Sequence, residues 1–451
     1  MDILIKVGQL LLSLSILIVL HEMGHFFPAK WFKTQVDKFY LFFDAPPFNS
    51  LWKKKVGDTE YGIGWLPLGG YVKIAGMVDE SMDTEFKDKE PQPWEFRSKP
   101  AWQRLIIMLG GVTVNFILGF FILGMLLWGY GKQYLPNSEA KQYGVAFDSI
   151  LIQQGFQNGD LITKIGNTPN DRFDPVQLLE KVILGNERSV TVIRNGQEQN
   201  ITVRDDIARQ VTDRGVPKSA LLSPRFPFIV EQLAPNSPAE KAGVLPGDQI
   251  ISFNGMGTEF YDQFVREAQK NKGKPADLGI VRNGDSIRVS LTLSEEGTIG
   301  VYARPLNKLF KFEREDYTLL RAIPEGYNEG VNFLKTQISA FGKMFTGQIS
   351  PNKNLGSFIS IGNMFPAQFS WETFWHMTAT LSLILAFMNL LPIPALDGGY
   401  VVFLIWEVIT GRKVSDNFLE KAVTVGFFLL MALMIYAFGL DLWRHIFSKF
   451  F

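Results

Sequence analysis

The stretch His21-Glu22-Met23-Gly24-His25 lies inside an apolar run that is long enough to cross a lipid bilayer. Residues 7–20, directly before it, carry no formal charge. On a helix, residues four apart share a face, so both imidazoles can bind one zinc ion while Glu22 handles a proton from a bound water. A charged group at bilayer depth costs about 2.5–3.5 kcal/mol on insertion scales, which indicates a functional reason for these side chains.

The composition narrows the chemistry. The chain has 451 residues, with 45 basic and 45 acidic side chains, so its charge gives no indication of nucleic acid binding. It contains no cysteine, which excludes disulfides and thiolate ligands and leaves His, Asp and Glu as zinc donors.

Four segments are apolar over about the 20 residues that a membrane helix needs: 5–27, 105–130, 373–396 and 422–440. The first resembles a signal peptide, but its histidines stand where small cleavage-site residues belong, which favours a retained helix. The second contains glycines at positions 110, 111, 119 and 124, which allow close helix packing. Lysines and arginines crowd the connection between these two segments, so the positive-inside tendency predicts that it is cytoplasmic and that the long middle block lies outside.

The middle block contains an internal repeat. The motif at 155–160, Gly-Phe-Gln-Asn-Gly-Asp, recurs in outline at 243–248, and the Arg-Asn-Gly turn at 194–196 recurs at 282–284. Both pairs are displaced by the same 88 residues, which predicts a duplicated domain. Each copy has the pattern of short strands around a Gly-Asp turn, followed by a hairpin with the favoured Asn-Gly turn.

The repeated pattern resembles bacterial PDZ domains, and Asn-Ser-Pro-Ala-Glu-Lys-Ala-Gly at 236–243 is typical of them. The resemblance implies small mixed-β domains that bind extended peptides along a sheet edge. Two sandwich-like spacer domains are the alternative.

After the second copy, residues 316–350 return to helical periodicity, which Pro324 and Gly326 interrupt. This pattern predicts one or two amphipathic helices at the outer surface of the bilayer. A linker helix packed on the second copy is the alternative.

A catalytic zinc site needs a third protein ligand, and Asp397 is the strongest candidate. It ends the sequence Asn-Leu-Leu-Pro-Ile-Pro-Ala-Leu-Asp at 389–397, at the close of an apolar run and directly before two glycines. The flanking prolines and glycines predict irregular backbone, which the membrane tolerates only around a protein-lined or water-filled cavity.

An H-E-x-x-H motif in a first membrane helix, together with N-x-x-P-x-P-x-L-D-G in a late one, resembles the site-2 protease family. The paired insertion resembles its RseP-type branch in Gram-negative bacteria. The resemblance implies that His21, His25 and Asp397 bind Zn²⁺ and that Glu22 is the catalytic acid/base. It also implies that Asn389 orients substrate or stabilises the oxyanion, for which a helix–helix hydrogen bond is the alternative.

Between the first two segments, residues 59–77 are apolar and rich in glycine. In the family, the matching stretch is a membrane-reentrant β-hairpin. An edge formed by Gly62, Ile63, Gly64 and Trp65 could pair with an unwound substrate segment, because backbone hydrogen bonds recognise extended peptide. A soluble hairpin packed beneath the helices is the alternative.

The sequence therefore predicts a polytopic α-helical membrane protein with four transmembrane helices, a membrane-reentrant β-hairpin and two inserted tandem PDZ domains. The predicted domains are residues 1–130, the PDZ copies 131–220 and 221–308, juxtamembrane helices at 309–370, and a second transmembrane half at 371–451. The alternative to a protease is a membrane-anchored PDZ scaffold with a vestigial metal site, which would lack ligands.

The predicted activity is that of an intramembrane zinc metalloprotease in the bacterial inner membrane, with its PDZ domains in the periplasm. Its partners would be the lipid bilayer, single-pass membrane protein substrates cut after a first cleavage, and peptide ligands of the PDZ domains. Anti-sigma-factor-like stubs and signal-peptide remnants are the two substrate classes considered.

Overall fold

The computed structural model describes the chain apart from residues 1, 47, 49, 68, 78–89, 176, 177, 179, 186, 215–220, 351, 353–355 and 446–451. The predicted end of the first copy and the last six residues of the second transmembrane half thus lie outside the described residues. The chain divides into two compact units. The membrane unit comprises residues 1–131, 316–337 and 354–451, and the repeat unit comprises residues 132–315 and 338–353.

The membrane unit begins with two apolar helices of 30 residues each, α1 (Asp2–Trp31) and α2 (Ala101–Tyr130). Their backbones meet where Gly24 lies against Gly110, and a Cβ atom on either glycine would collide with the other's backbone. Further along α2, Gly119 lies against Leu383 and Gly124 against Ala322. The prediction that the glycines of this helix permit close packing is confirmed.

A four-stranded sheet lies between α1 and α2 in sequence. Its strands are β1 (Val36–Leu41), β2 (Trp52–Val56), β3 (Thr59–Ile63) and β4 (Tyr71–Ile74), in the order β2-β3-β1-β4. β2 and β3 form a hairpin around Gly57, whose φ of 61° is left-handed and suits glycine. β1 runs parallel to β3 and antiparallel to β4. The stretch 59–77 therefore supplies two strands that flank β1.

The repeat unit contains the two copies in succession. The first has β5 (Lys132–Pro136), α3 (Asn137–Ala140), β6 (Val145–Phe147), α4 (Ser149–Ile152), β7 (Leu161–Ile165), β8 (Thr168–Pro169), β9 (Arg172–Phe173), β10 (Ser189–Arg194), β11 (Gln197–Thr202), α5 (Ile207–Arg214) and β12 (Leu222–Pro224). The second has β13 (Val230–Leu233), α6 (Pro238–Lys241), β14 (Gln249–Phe253), β15 (Met256–Gly257), α7 (Tyr261–Lys270), β16 (Pro275–Arg282), β17 (Asp285–Thr292), β18 (Val301–Ala303), α8 (Leu306–Leu309) and β19 (Glu313–Glu315).

The two copies share one sheet topology. The order β8-β7-β10-β11 in the first copy matches β15-β14-β16-β17 in the second. β14 and β15 begin and end 88 residues after β7 and β8, the displacement found in the sequence. The duplication predicted from the two motifs is therefore present in the fold.

The repeated motifs are partners of each other within each copy. In the first, the Arg194 guanidinium donates two hydrogen bonds of 2.7 Å to the Asp160 carboxylate and one of 2.8 Å to the Gly155 carbonyl. In the second, Arg282 donates to Asp248 at 2.7 and 2.8 Å and to the Gly243 carbonyl at 2.7 Å. This bidentate pair fixes the Gly-Asp turn against the hairpin that carries the arginine.

Each copy has its own hydrophobic core. The second core is formed by residues between Phe228 and Ala303. The first core also takes in Ile349, with Ala340 and Met344 packed against it.

A long helix, α9 (Leu319–Phe345), follows the second copy. It continues through Pro324 and Gly326 as one helix, although the sequence predicts interruptions at both positions. In the repeat unit, its end packs on the first copy: Lys343 donates to the Ile183 carbonyl at 2.6 Å and Ser339 to the Leu184 carbonyl at 2.8 Å. Burial lowers the pKa of Lys343. The alternative prediction of packing on the second copy is thus wrong for this part of the helix.

The membrane unit ends with α10 (Phe358–Met364), α11 (Trp371–Leu390), α12 (Asp397–Thr410) and α13 (Asp416–His445). Four helices of the described chain are long and apolar enough to cross a membrane, namely α1, α2, α11 and α13. They contain three of the four predicted segments in full, and the third helix stops at Leu390 instead of residue 396.

The break around Asp397 lies in residues 391–396, before this residue. Asp397 begins α12, and Gly398 and Gly399, predicted to be irregular, belong to that helix. A Cβ atom on Gly398 would collide with the Leu391 carbonyl, and one on Gly399 with the Ile393 carbonyl. The glycines thus allow the first turn of α12 to pack directly on the irregular segment.

Candidate active site

The two histidines of α1 point at one another along the same helix face. Their Nε2 atoms are 3.3 Å apart. The Nδ1 atom of His25 is 2.8 Å from the Ile107 carbonyl on α2, so it must carry the proton and donate. The Nε2 atom of His25 is then an unprotonated acceptor, which is the form that binds a metal ion.

Asp397 completes the set from the other end of the chain. Its Oδ2 atom is 3.3 Å from Nε2 of His21 and 3.4 Å from Nε2 of His25. The three atoms therefore form a nearly equilateral triangle. Ligand atoms bound to zinc at about 2.0–2.1 Å in tetrahedral geometry lie about 3.3 Å apart, so these separations fit a zinc ion held by two imidazoles and one carboxylate.

The polarity of the three atoms supports the same assignment. Oδ2 of Asp397 is buried and has no hydrogen-bond partner of good geometry among the described residues. A buried polar atom without a partner is costly, and a bound cation would remove that cost. In the described part of the chain, the ligand atoms of His21, His25 and Asp397 all lie within 4.8 Å of one another, which is close enough for the three side chains to hold one metal ion.

Glu22 lies next to the two histidines and is 9% exposed. The backbone N–H of Val72 on β4 lies close enough to interact with its carboxylate. This contact brings strand β4, at one edge of the four-stranded sheet, directly beside the glutamate. The carboxylate therefore lies between the three candidate ligands and a sheet edge.

The structure brings Asn389 to the same site. Its Nδ2 atom is 3.3 Å from Nε2 of His21. Asn389 is the penultimate residue of α11, so the end of that helix places the amide beside the imidazoles. This contact joins α11 to α1, so it fits the alternative prediction of a helix–helix hydrogen bond, and it also places the amide beside the candidate metal ligands.

The predicted edge residues of the sheet lie elsewhere. Gly62 and Ile63 belong to β3, which is paired with β1 on one side and β2 on the other. The Gly64 N–H donates to the Leu41 carbonyl at 2.8 Å, and the Trp65 indole donates to the Ala45 carbonyl at 2.6 Å. A free-edge role for Gly62 and Ile63 is incompatible with this pairing, since the described sheet has its edges at β2 and β4. The Gly64 N–H is used in the same way, whereas the Trp65 bond is made by its side chain.

Two residues of α2 contact the site and were missed by the sequence reasoning. Asn115 is 1% exposed, and its Nδ2 atom is 3.2 Å from Nδ1 of His21. A Cβ atom on Gly111 would lie 2.7 Å from Cε1 of His21, so only glycine leaves room for the imidazoles. The available signal was weak: a lone asparagine four residues after a glycine in an uncharged span.

Comparison with known proteins agrees with this geometry. The family model described as peptidase family M50 matches residues 9–433. The regulator of sigma-E protease RseP of Escherichia coli is 32% identical over an alignment of 451 positions, gaps included, which covers 95% of this chain and 96% of that protein.

Other relatives are similar over the same extent. Protease RseP of Yersinia pestis is 29% identical, covering 96% of this chain and 97% of its own length. A putative zinc metalloprotease of Pasteurella multocida is also 29% identical, covering 98% of this chain and 100% of its own length. The matched region contains the two histidines, the glutamate and the aspartate. The chain therefore belongs to peptidase family M50, the site-2 protease family of membrane-embedded zinc metalloproteases.

Proposed function

We propose that this chain hydrolyses peptide bonds within the transmembrane segments of single-pass membrane proteins, with His21, His25 and Asp397 as zinc ligands and Glu22 as the acid/base. One observation carries the proposal: three acceptor atoms from distant parts of the chain, separated by 3.3–3.4 Å, converge on one point. That point lies among helices long enough to cross a membrane. Water-dependent chemistry at such a depth requires the polar, protein-lined surroundings that these residues provide.

The residues divide the work of hydrolysis. Zinc held by the three ligands would lower the pKa of a bound water and polarise the scissile carbonyl. Glu22 takes the proton of the attacking water and later delivers it to the leaving amine. The Asn389 amide would donate to the carbonyl oxygen of the substrate as negative charge develops there, a role that its position beside the His21 imidazole supports.

Strand β4 is the part of the sheet that we assign to substrate pairing. A helical substrate hides its peptide bonds, so it must unwind locally before hydrolysis. An extended segment beside β4 would lie next to Glu22, because the Val72 N–H on that strand already contacts the glutamate. This assignment retains the role of a membrane-reentrant β element and moves it from Gly62, Ile63, Gly64 and Trp65 to β4, the edge strand on the far side of β1.

The repeat unit is proposed to consist of two PDZ domains. The shared sheet order and the resemblance at 236–243 support this assignment. Such domains bind extended peptides, or they obstruct substrates that keep a bulky outer domain. The substrate class is then a membrane stub trimmed by an earlier protease, with signal-peptide remnants as a second class.

The proposed topology follows the charge distribution. The lysine- and arginine-rich connection between α1 and α2 lies in the cytoplasm, and the repeat unit lies in the periplasm of a Gram-negative cell. The protein itself is then an inner-membrane protease that acts on substrates whose outer parts the repeat unit meets first.

Metal analysis combined with a cleavage assay tests the proposed function. The purified full-length protein is incubated in lipid nanodiscs with a single-pass stub, and zinc content is measured on the same samples. His21→Ala is expected to lose zinc and cleavage, whereas His376→Ala, which removes an exposed histidine of α11, leaves both unchanged. Cleavage at the parent rate by zinc-free His21→Ala protein would overturn the proposal.

A further inference from the structure

In the proposed zinc site, the Nδ1 atom of His21 requires a hydrogen-bond acceptor that none of the three zinc ligands provides. Its Nε2 atom faces Asp397 and His25 and must be unprotonated to bind a metal ion. A neutral imidazole carries its single proton on the other nitrogen, so Nδ1 of His21 must be an N–H donor. The His21 side chain is 12% exposed, so this donor is largely removed from solvent and needs an acceptor.

His25, the other histidine of the site, already has an acceptor for its Nδ1–H group. Its Nδ1 atom donates to the backbone carbonyl of Ile107, at 2.8 Å. For His21, the group within hydrogen-bond distance of Nδ1 is the side-chain amide of Asn115, at 3.2 Å. Both contacts come from α2, one through the backbone and one through a side chain.

The orientation of the Asn115 amide follows from this pairing. With Nδ2 toward His21, two donors face each other, and the Oδ1 atom is buried without a partner among the described residues. Exchanging the two ends of the amide places the oxygen against the imidazole N–H and makes a normal hydrogen bond. Nitrogen and oxygen of an amide are distinguished by their hydrogen bonds, so the donor on His21 decides the orientation.

The backbone around Asn115 is held in place independently. The Ser382 hydroxyl on α11 donates to the Asn115 carbonyl at 2.7 Å, which ties the two helices at this residue. Gly111, one turn earlier on α2, provides the space in which the imidazole lies. The amide therefore meets His21 from a fixed position.

We infer that Asn115 is a positioning residue of the zinc site: its Oδ1 atom accepts the Nδ1–H of His21 and thereby fixes the tautomer and ring orientation that expose Nε2 to the metal. This inference rests on the proposed function, because it presupposes that His21 is a zinc ligand. Outer-shell partners of this kind contribute about 10–100-fold to metal affinity or activity.

The test measures zinc affinity of the full-length protein by competition with a chelator, a readout that does not need substrate. Asn115→Leu removes the acceptor at similar volume and is expected to weaken zinc binding about 10–100-fold. Asn115→Asp keeps an oxygen acceptor and is expected to bind zinc close to the parent level. Thr378→Val is the matched control, because it removes a buried hydrogen bond to Ser13 in the same unit, away from the imidazoles.

The outcomes separate this inference from the proposed function. A parent protein that binds no zinc contradicts the proposed function. A parent that binds zinc while Asn115→Leu binds it equally well overturns only the role of Asn115. Equal weakening by the Asp and Leu variants, with zinc-free protein that unfolds at the parent temperature, would assign Asn115 a donor role and also overturn the inference.

Discussion

Asp397 in the membrane unit and Asp248 in the repeat unit are both withdrawn from water, but their carboxylates face opposite kinds of neighbours. Asp248 accepts two hydrogen bonds from Arg282 and one from the Leu245 N–H at 2.8 Å. Asp397 faces the Nε2 atoms of His21 and His25, which do not donate to it when each ring carries its proton on Nδ1. A buried carboxylate whose lone pairs are matched by donors holds a fold together, whereas one that converges with other acceptors requires a cation.

Replacing Asp397 is the strongest test of this comparison. Asp397→Asn removes the negative charge but keeps the shape, so zinc is expected to be lost and cleavage of a stub to fall below detection. Asp58→Asn, at an exposed turn of the same unit, is the control and should change neither quantity. Retention of zinc by Asp397→Asn protein would mean that Asp397 resembles Asp248 after all.

Glu22→Gln separates chemistry from metal binding. The amide cannot take a proton from water, so cleavage is expected to fall about 10²–10⁴-fold while zinc content stays at the parent level. The measurement is single-turnover cleavage with metal analysis on the same preparation. Cleavage at the normal rate would refute the acid/base role.

Gly111→Ala tests how closely the converging acceptors are packed. The added methyl would meet the His21 ring at 2.7 Å, and overpacking costs about 1–3 kcal/mol, so zinc binding should weaken about tenfold or more. Gly129→Ala on the same helix, where nothing lies within 4 Å, is the matched control. Chelator competition on both variants gives the comparison, and equal affinities would show that the site tolerates the methyl group.

Asp248→Asn tests the carboxylate whose lone pairs are matched by hydrogen-bond donors. It weakens the Arg282 pair, so amide exchange in β14 and β16 is expected to rise about tenfold with zinc content unchanged. Asp160→Asn should do the same in β7 and β10 of the first copy. Hydrogen exchange followed by mass spectrometry measures both, and each variant is the control for the other copy. Loss of zinc in either variant would contradict the division of roles.

The smallest expected effect is the pH dependence of the difference in amide exchange between the parent protein and Asp248→Asn. Hydrogen bonds from Arg282 hold the pKa of Asp248 below its ordinary value of 3.8. A lowered pKa stabilises the folded state above 3.8, and this stability is lost as pH falls through the folded value. The exchange difference between the parent and Asp248→Asn should therefore be constant near neutral pH and shrink below pH 3.8. A difference that persists in strong acid would mean that the charge of Asp248 is unimportant.

The site was predictable from sequence where a local period or a paired motif carried the information. His21 and His25 follow from helical spacing, and the Asp160–Arg194 pair underlies the repeated motifs, although the repeat alone does not say that its two halves touch. Asp397 was found through a motif and a family resemblance, since 372 residues separate it from His25. Asn115 was missed because a single amide in an apolar helix belongs to no motif and to no periodic pattern of polar residues.

The sheet edge was misassigned for a related reason. Tyr61, Ile63 and Trp65 alternate with glycines, which predicts a strand with one bare face, but alternation does not reveal the number of neighbours that a strand has. The parallel pairing of β1 with β3 is a long-range choice, made by packing of Phe39 and Tyr61 against Phe26 of α1. The irregular segment before Asp397 was predicted, but the helical glycines after it were not, because their close backbone contacts appear only in three dimensions.

The core of the first copy has a consequence for the order in which the protein is made. The core of the second copy is formed by residues up to Ala303, whereas the core of the first copy includes Ile349, with Ala340 and Met344 packed against it, and these three residues are synthesised later. The second copy can therefore complete its core before the last residues that pack in the core of the first copy have been synthesised. The domain that emerges first is thus the one that finishes folding last.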